Sequence, residues 1–461
     1  MDLLKSPTNK VLRSMSLPVG FGMLSTILFQ VVDTYFVGTL GAESLTALGF
    51  ASTVYFLLVG LFIGLSVAVS IILGKAFGEG NPIEIKQIST LSVIISFVVG
   101  LVFTAIGISS IDSVFSLLGA NAALIADIKA YMVPLYLGMP LLSVGIVAGS
   151  ILRTKGMASK PEIVFGIAGV INLILNYVLI FGKFGFPQMG IQGVAIGTVV
   201  SWVFIFICMA IFLFQERLLS ISSEDFSAYK TILQSLFQLG LPSVLTQLIS
   251  PFTLMLVTFL LGKVSADTVA SFGVASRIET LLLIGIMAVC TASTPFIAQN
   301  FGAKLVQRIE EAIVFGGKAS FYLGAMAAIV LYLFIKPVAG IFSEDEQIIA
   351  TTANYFYIVS LSYIFHGLYL VTIAIFNGLQ LPQKALRIML VKTFGLTLPL
   401  TIAGYFFGAQ GIFIALGLSN LLGGLYAAYE MRKELKRVGS SLKNRNPVTD
   451  MMSDFKLAKT N

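Results

Sequence analysis

The sequence predicts an all-α integral membrane protein whose twelve transmembrane helices form two six-helix bundles related by a pseudo-twofold axis along the membrane normal. Three observations carry that prediction: the composition, the rhythm of apolar spans and an internal repeat. Of 461 residues, 57% are hydrophobic and 11% charged, whereas a soluble domain carries about 25% charged residues. Twelve helices of about 20 residues, each long enough for a hydrocarbon core of roughly 30 Å, use up most of the apolar residues. A large soluble catalytic domain, a DNA-binding module and a disulfide scaffold are thereby excluded. The two cysteines, Cys208 and Cys290, sit in apolar runs and read as free buried thiols.

Apolar spans fall at about 14–38, 45–74, 88–110, 128–152, 162–182, 190–214, 236–262, 268–300, 311–335, 347–376, 387–407 and 410–430. With a cytoplasmic N-terminus, 24 of the 29 basic residues fall on the inner side, among them Arg153, Lys155, Lys160, Arg308, Lys384 and Lys392. The positive-inside rule therefore puts both termini in the cytoplasm. Net charge +7 forms no patch that would suit nucleic acid. The basic tail, 431–461, reads as a topology anchor drawn to anionic lipid. The stretch before Leu17 leads into a full-length span and reads as a first helix, not a cleaved signal.

Sliding the chain against itself by 224 residues aligns a 63-residue stretch without a gap. Pro18 meets Pro242, Gly38 meets Gly262, Ala51-Ser52 meets Ala275-Ser276, Phe77-Gly78 meets Phe301-Gly302, and Tyr131 meets Tyr355. At a shift of 218, Gly-Ile-Gln-Gly at 190–193 meets Gly-Ala-Gln-Gly at 408–411. A duplicated six-helix unit explains both shifts. Because six is even, the copies enter the membrane from one side and lie parallel. The expected organisation is a lobe at 1–214, a polar linker at 215–235, which includes Glu224 and Asp225, a second lobe at 236–430, and the tail. Two such bundles leave a cleft that rocking exposes to each side in turn, which suits transport.

A charge near a helix centre costs about 2.5–3.5 kcal/mol on insertion scales, so each one calls for a partner, a wet cavity or a function. Asp33 stands in the first span, where helical spacing places Thr26, Phe29 and Gln30 on its face, predicted to line the first bundle. Its repeat counterpart is Val257, so a carboxylate here is not required by the fold, and a proton- or ion-coupling role is expected. Asn172 and Asn176, four apart, share a face of the fifth span, and Tyr131, Thr198 and Ser201 add hydroxyls. These are either partners of Asp33 or hydrogen-bond glue between helices. Arg277 and Glu279 are expected to snorkel or to pair with neighbours, and His366 to be a neutral hydrogen-bonding residue. No Walker A run, Gly-x-Ser-x-Gly elbow or His-Glu-x-x-His pair is present, so neither an enzyme, a cofactor nor a metal site is expected.

The run Gly74-Lys-Ala-Phe-Gly-Glu-Gly-Asn81, its partner Ala298-Gln-Asn-Phe-Gly-Ala-Lys304, the stretch Gly273-Val-Ala-Ser-Arg-Ile-Glu279 and Asp33 followed by Thr-Tyr-Phe-Val-Gly resemble the multidrug and toxic compound extrusion (MATE) transporters, in their DinF-like branch. The resemblance covers nearly the whole chain. It implies a two-lobed antiporter of the prokaryotic inner membrane that expels amphipathic, often cationic drugs in exchange for protons or sodium. It also implies that Asp33 is the protonation site, that Tyr131 and Asn172 surround it, and that Pro18 is the hinge of the first helix. Asn176 stands where some relatives carry an aspartate; that removes a second acid, and sodium prefers more carboxylate oxygens. The expected mechanism is proton-coupled antiport by a monomer: Asp33 exchanges hydrogen bonds with Tyr131, Asn172, Asn176 and Thr198 as it gains and loses a proton, while Met23, Phe29 and Gln30 line the drug site. A sodium-coupled drug antiporter and a lipid-linked oligosaccharide flippase are the alternatives.

Overall fold

The computed structural model describes residues 2–220 and 226–438. Glu224 and Asp225 of the linker, and the basic tail beyond residue 438, lie outside the described residues. Twelve helices among the described residues are long and apolar enough to cross a membrane. They are α1 (Thr8–Gly38), α2 (Ala42–Glu79), α3 (Pro82–Leu117), α4 (Ala122–Thr154), α5 (Ser159–Phe181) and α6 (Gly190–Gln215). After the linker come α7 (Phe226–Gly262), α8 (Ala266–Gly302), α9 (Val306–Gly340), α10 (Glu346–Gly378), α11 (Pro382–Tyr405) and α12 (Gly408–Val438). Lipid offers the backbone no hydrogen bonds, so a spanning segment satisfies its own as a helix.

The duplication survives in the helix ends. Shifted by 224, Ala122–Thr154 falls on Glu346–Gly378, and Ala42–Glu79 falls within one residue of Ala266–Gly302. The caps repeat as well: the Asn121 side chain accepts from Leu124 N at 2.9 Å, and its counterpart Asp345 accepts from Gln347 N at 2.8 Å. Gly80 closes α2 in the left-handed region at φ 71°, and the equivalent Lys304 takes φ 57° although it has a side chain. The change of shift from 224 to 218 arises in one loop, because the α5–α6 connection, 182–189, is six residues longer than its counterpart, 406–407.

Packing repeats too. A Cβ on Gly100 of α3 would fall 2.5 Å from Pro140 Cα of α4, and one on the equivalent Gly324 of α9 would fall 2.8 Å from the equivalent Ile364 Cα of α10. Only glycine allows these backbones to meet so closely. Ser150 Oγ donates to Ser66 O at 2.7 Å to tie α4 to α2, and Thr294 Oγ1 donates to Ala374 O at 3.1 Å to tie α8 to α10. Both central helices are irregular for different reasons: α4 contains Pro134 and Pro140, whereas α10 passes through a 3₁₀ turn at Ser360–Ser362. In α11 the segment Val391–Thr397 is π-helical.

Two compact units result. One is Leu17–Val244; the other joins the residues through Ser16 to those from Leu245 onward. The chain thus passes from one unit to the other inside α1, just before Pro18, and inside α7, just after Pro242, rather than within the 215–235 linker. In the Leu17–Val244 unit, Phe62, Phe115, Met132 and Met139 belong to the buried core, and α4 packs against α2, α3 and α6. At its polar end Lys155 and Lys160 each reach Glu216 at 2.7 Å, and their hydrogen bonds hold its carboxyl at about 2, far below the ordinary 4.5. In the other unit α10 packs against α8, α9 and α12 around Phe356, Tyr363 and Phe413. The N-terminal segment is anchored there: Arg308 Nη2 donates to Leu3 O at 3.0 Å and Ser6 O at 2.7 Å, and Thr8 Oγ1 donates to Glu311 Oε2 at 2.5 Å.

Candidate functional site

α1 carries Asp33 to α5, where two amides meet it. Asn176 is fully buried, and its Nδ2 donates to Asp33 Oδ1 at 2.5 Å and to Asn172 Oδ1 at 3.2 Å. Asn172 Nδ2 in turn donates to Thr198 Oγ1 of α6 at 3.0 Å. Turned over, the Asn172 amide places Nδ2 2.9 Å from Asp33 Oδ1 and lets Oδ1 accept from Thr198 N at 3.2 Å, so the carboxylate gains a second donor. Asn176 Oδ1 has no partner among the described residues, and Gly197 leaves it room, since a Cβ there would lie 2.8 Å away. The amide network therefore has a spare acceptor, beside a carboxylate that no described cation approaches within 4 Å.

Of the predicted partners, Asn172 and Asn176 surround Asp33 and Thr198 acts through Asn172. Tyr131 of α4 lies within electrostatic range of Asp33 without a hydrogen bond between them among the described residues. Ser201 Oγ turns back to Gly197 O at 2.9 Å and stays outside the network. The predicted polar face of α1 is only partly turned inward. The Phe29 ring rests on the Gly169 backbone of α5, but Gln30 and Thr26 are exposed, and the Thr26 hydroxyl is satisfied on its own helix at Gly22 O, 2.9 Å away. Met23 is half-buried, and so is Pro18 within an unbroken helix.

Two groups escaped the sequence. Tyr55 of α2 also lies within electrostatic range of Asp33, with its ring stacked on Trp202 at 6.2 Å and 5°. The signal was available: the 224-residue shift pairs Tyr55 with Glu279, as it pairs Tyr131 with Tyr355. In the other unit Glu279 turns inward and accepts from Tyr355 Oη at 3.1 Å, while Arg277 is exposed. Lys392, assigned by sequence to a cytoplasmic segment, is instead only 9% exposed inside the unit, with Nζ 3.0 Å from His366 Nδ1. Its π-helical setting, ten residues past the start of α11, carries it about 15 Å along the helix at 1.5 Å per residue, well away from the end. Among the described residues no group of three His, Cys, Asp or Glu side chains is placed to hold a metal ion.

Twelve spans, a duplicated helix plan and ionisable groups held in apolar helices define a membrane transporter rather than an enzyme. The family model described as MatE matches twice, at residues 18–178 and 242–403, once in each repeat. The chain belongs to this MATE family of transporters. It is 33% identical over 429 residues to the FAD transporter of Shewanella oneidensis, covering 93% of this chain and 95% of that one. It is 26% identical over 371 residues to the probable multidrug resistance protein YoeA of Bacillus subtilis, covering 79% and 80%. Among solved structures, the bent form of the Vibrio cholerae MATE transporter VcmN superposes with a TM-score of 0.89 at 26% identity, over 93% of this chain and 97% of that one.

Proposed function

We propose that the chain is a proton-coupled exporter of amphipathic organic compounds of the DinF-like type, with Asp33 as the coupling group. It works as a monomer in the inner membrane with both termini cytoplasmic, the orientation that the distribution of its basic residues favours. The observation that carries the reading is the Asn176 to Asp33 hydrogen bond at 2.5 Å, in a setting of neutral amides and tyrosines. With no fixed cation within 4 Å among the described residues, the charge of Asp33 is free to be cancelled by a proton or balanced by a cationic guest.

With the site open outward, a proton neutralises Asp33 and weakens its hold on the Asn176 N–H. The Asn176 amide then turns, and its unpartnered Oδ1 accepts from the protonated Asp33 carboxyl. Segment 19–38 of α1 moves with Asp33 about Pro18, which supplies no N–H to bond Ser14 O. The chain changes unit at this point, which supports a pivot there. Loss of the charge and movement of Phe29 release the guest, and proton loss to the cytoplasm restores the site. Guest and proton compete for one carboxylate, and that competition is the coupling.

The Shewanella relative favours a second reading of the cargo, a flavin dinucleotide in place of a cationic drug. Proteoliposomes loaded with ethidium or with FAD, under an imposed pH gradient and then a sodium gradient, test both. The pH gradient is expected to drive export, the Asp33→Asn variant to lose it, and the sodium gradient to be without effect. Undiminished export by Asp33→Asn, or export driven by sodium, would overturn the coupling.

A further inference from the structure

Inside the unit from Leu245 onward, Tyr363, His366 and Tyr369 recur every three residues on α10 and so form one stripe of that helix. Lys392 of α11 faces it. Its Nζ lies 3.0 Å from His366 Nδ1 and 4.4 Å above the centre of the Tyr369 ring. An ammonium can only donate, so Nδ1 accepts and His366 is neutral, with its proton on Nε2 toward the side chain of Asn420 on α12. Asn420 is fixed in turn by donating from Nδ2 to Ser362 Oγ at 3.2 Å. The lysine stem runs over Gly423, where a Cβ would fall 2.9 Å from its Cγ. The ring faces of His366 and Tyr369 are stacked at 5.8 Å and 28°.

The ammonium has three donors, and His366 takes one. The remaining charged group of the cluster, Glu279 on α8, lies beyond ion-pair distance and accepts from Tyr355 at 3.1 Å. It offsets the charge of Lys392 at range without filling its coordination. Tyr363 is fully buried, with Glu279 and Tyr355 beside its hydroxyl. Lys392 therefore keeps two ammonium donors with no hydrogen-bond partner among the described residues, beside the half-buried His366 ring. Burying such donors unpaired is costly, and intramembrane lysines are kept for a partner or a function.

We propose that Lys392, with His366 and Tyr369, is an anion receptor that takes the phosphate or carboxylate of a transported aromatic compound. This deepens the second reading of the cargo above and rests on it: one unit senses protons at Asp33, and the other selects cargo that bears an acidic group. Two N–H donors suit a pair of phosphate or carboxylate oxygens, and the half-buried His366 ring beside them is the aromatic surface that an aromatic guest can meet.

The test is fluorescence titration of the purified full chain in detergent with flavin mononucleotide and with riboflavin, which differ by one phosphate. Wild type is expected to bind the mononucleotide at least about 10-fold more tightly, and Lys392→Gln to lose about 10- to 100-fold of that affinity, the scale of a charge-assisted hydrogen bond. Lys392→Gln is expected to keep the melting curve of the wild type, which shows that the variant is folded, and Lys392→Arg to retain most of the mononucleotide binding. Asp33→Asn is expected to bind the mononucleotide normally, so a failure of the coupling reading and a failure of this one show in different variants. Equal mononucleotide affinity in wild type and Lys392→Gln overturns the proposal. So does retention of phosphatidylglycerol that alone depends on Lys392, since the occupant is then a lipid headgroup.

Discussion

In the Leu17–Val244 unit one carboxylate, Asp33, is ringed by amides and tyrosines; in the other unit a carboxylate and an ammonium, Glu279 and Lys392, share a cluster with tyrosines and a histidine. The two sites occupy matching places. Tyr131 and Tyr355 are repeat partners, Tyr55 stands where Glu279 stands, and Asp33 is replaced by Val257. The acid stands on the first helix of one repeat and on the second helix of the other, while the tyrosine of the fourth helix is common to both. The glycine contacts that bring α3 to α4 and α9 to α10 did not diverge. A close backbone contact tolerates no side chain, whereas a polar pocket accepts any set of groups that satisfies itself, so packing is retained while chemistry drifts.

The largest expected effect tests whether coupling belongs to one unit alone. Asp33→Asn should cut export driven by a pH gradient in proteoliposomes on the order of 100-fold, about 2.7 kcal/mol, while Glu279→Gln changes it by no more than roughly 3-fold, about 0.7 kcal/mol. Comparable losses in both would make the two sites equivalent and break the contrast. Next come the shared contacts: Gly100→Ala and Gly324→Ala should each destabilise the purified protein by about 1–3 kcal/mol through overpacking. Thermal unfolding is expected to show similar shifts for the two variants, and a silent Gly324→Ala would mean that packing has diverged as well.

Asn176→Ala removes the direct donor to Asp33, and export is expected to fall by about 10-fold, near the value of one hydrogen bond to a charged group, with the protein still folded by its melting curve. Full export in that variant would separate the amide from the coupling. The smallest effect concerns Glu216. Its folded carboxyl sits at about 2 against an ordinary 4.5, so its contribution is complete above pH 4.5 and is lost as pH falls through about 2. Because its partners are partly exposed, Glu216→Gln should cost under about 1 kcal/mol near neutral pH. Melting curves of wild type and variant should then converge as the pH is lowered through that window.

Much of the site was legible because polar residues are conspicuous in apolar helices. Asp33, Asn172 and Asn176 were each identifiable from one helix, since spacing of four fixes a common face, and the structure places them in one network. Gln30 and Thr26 were expected inside by the same spacing and are exposed, because the strip of α1 that meets α5 is narrower than its polar face. Lys392 was read as one more cytoplasmic cation, for the positive-inside rule counts charges without knowing how deep a helix begins. Tyr55 looked like any aromatic of a membrane helix until Asp33 and Trp202 were placed beside it.

By itself the sequence determined that this protein spans a membrane twelve times, that it is a duplicated unit and that Asp33 is out of place in its surroundings. Those properties are one-dimensional: hydropathy, repetition and a charge where lipid disfavours one. The tertiary structure decided which side chains share a pocket, bringing Asn176 to Asp33 and Lys392 to His366, and where along α1 and α7 the chain changes unit. Those depend on how helices distant in sequence turn and pack against one another, which a periodic pattern constrains to a face but not to a neighbour.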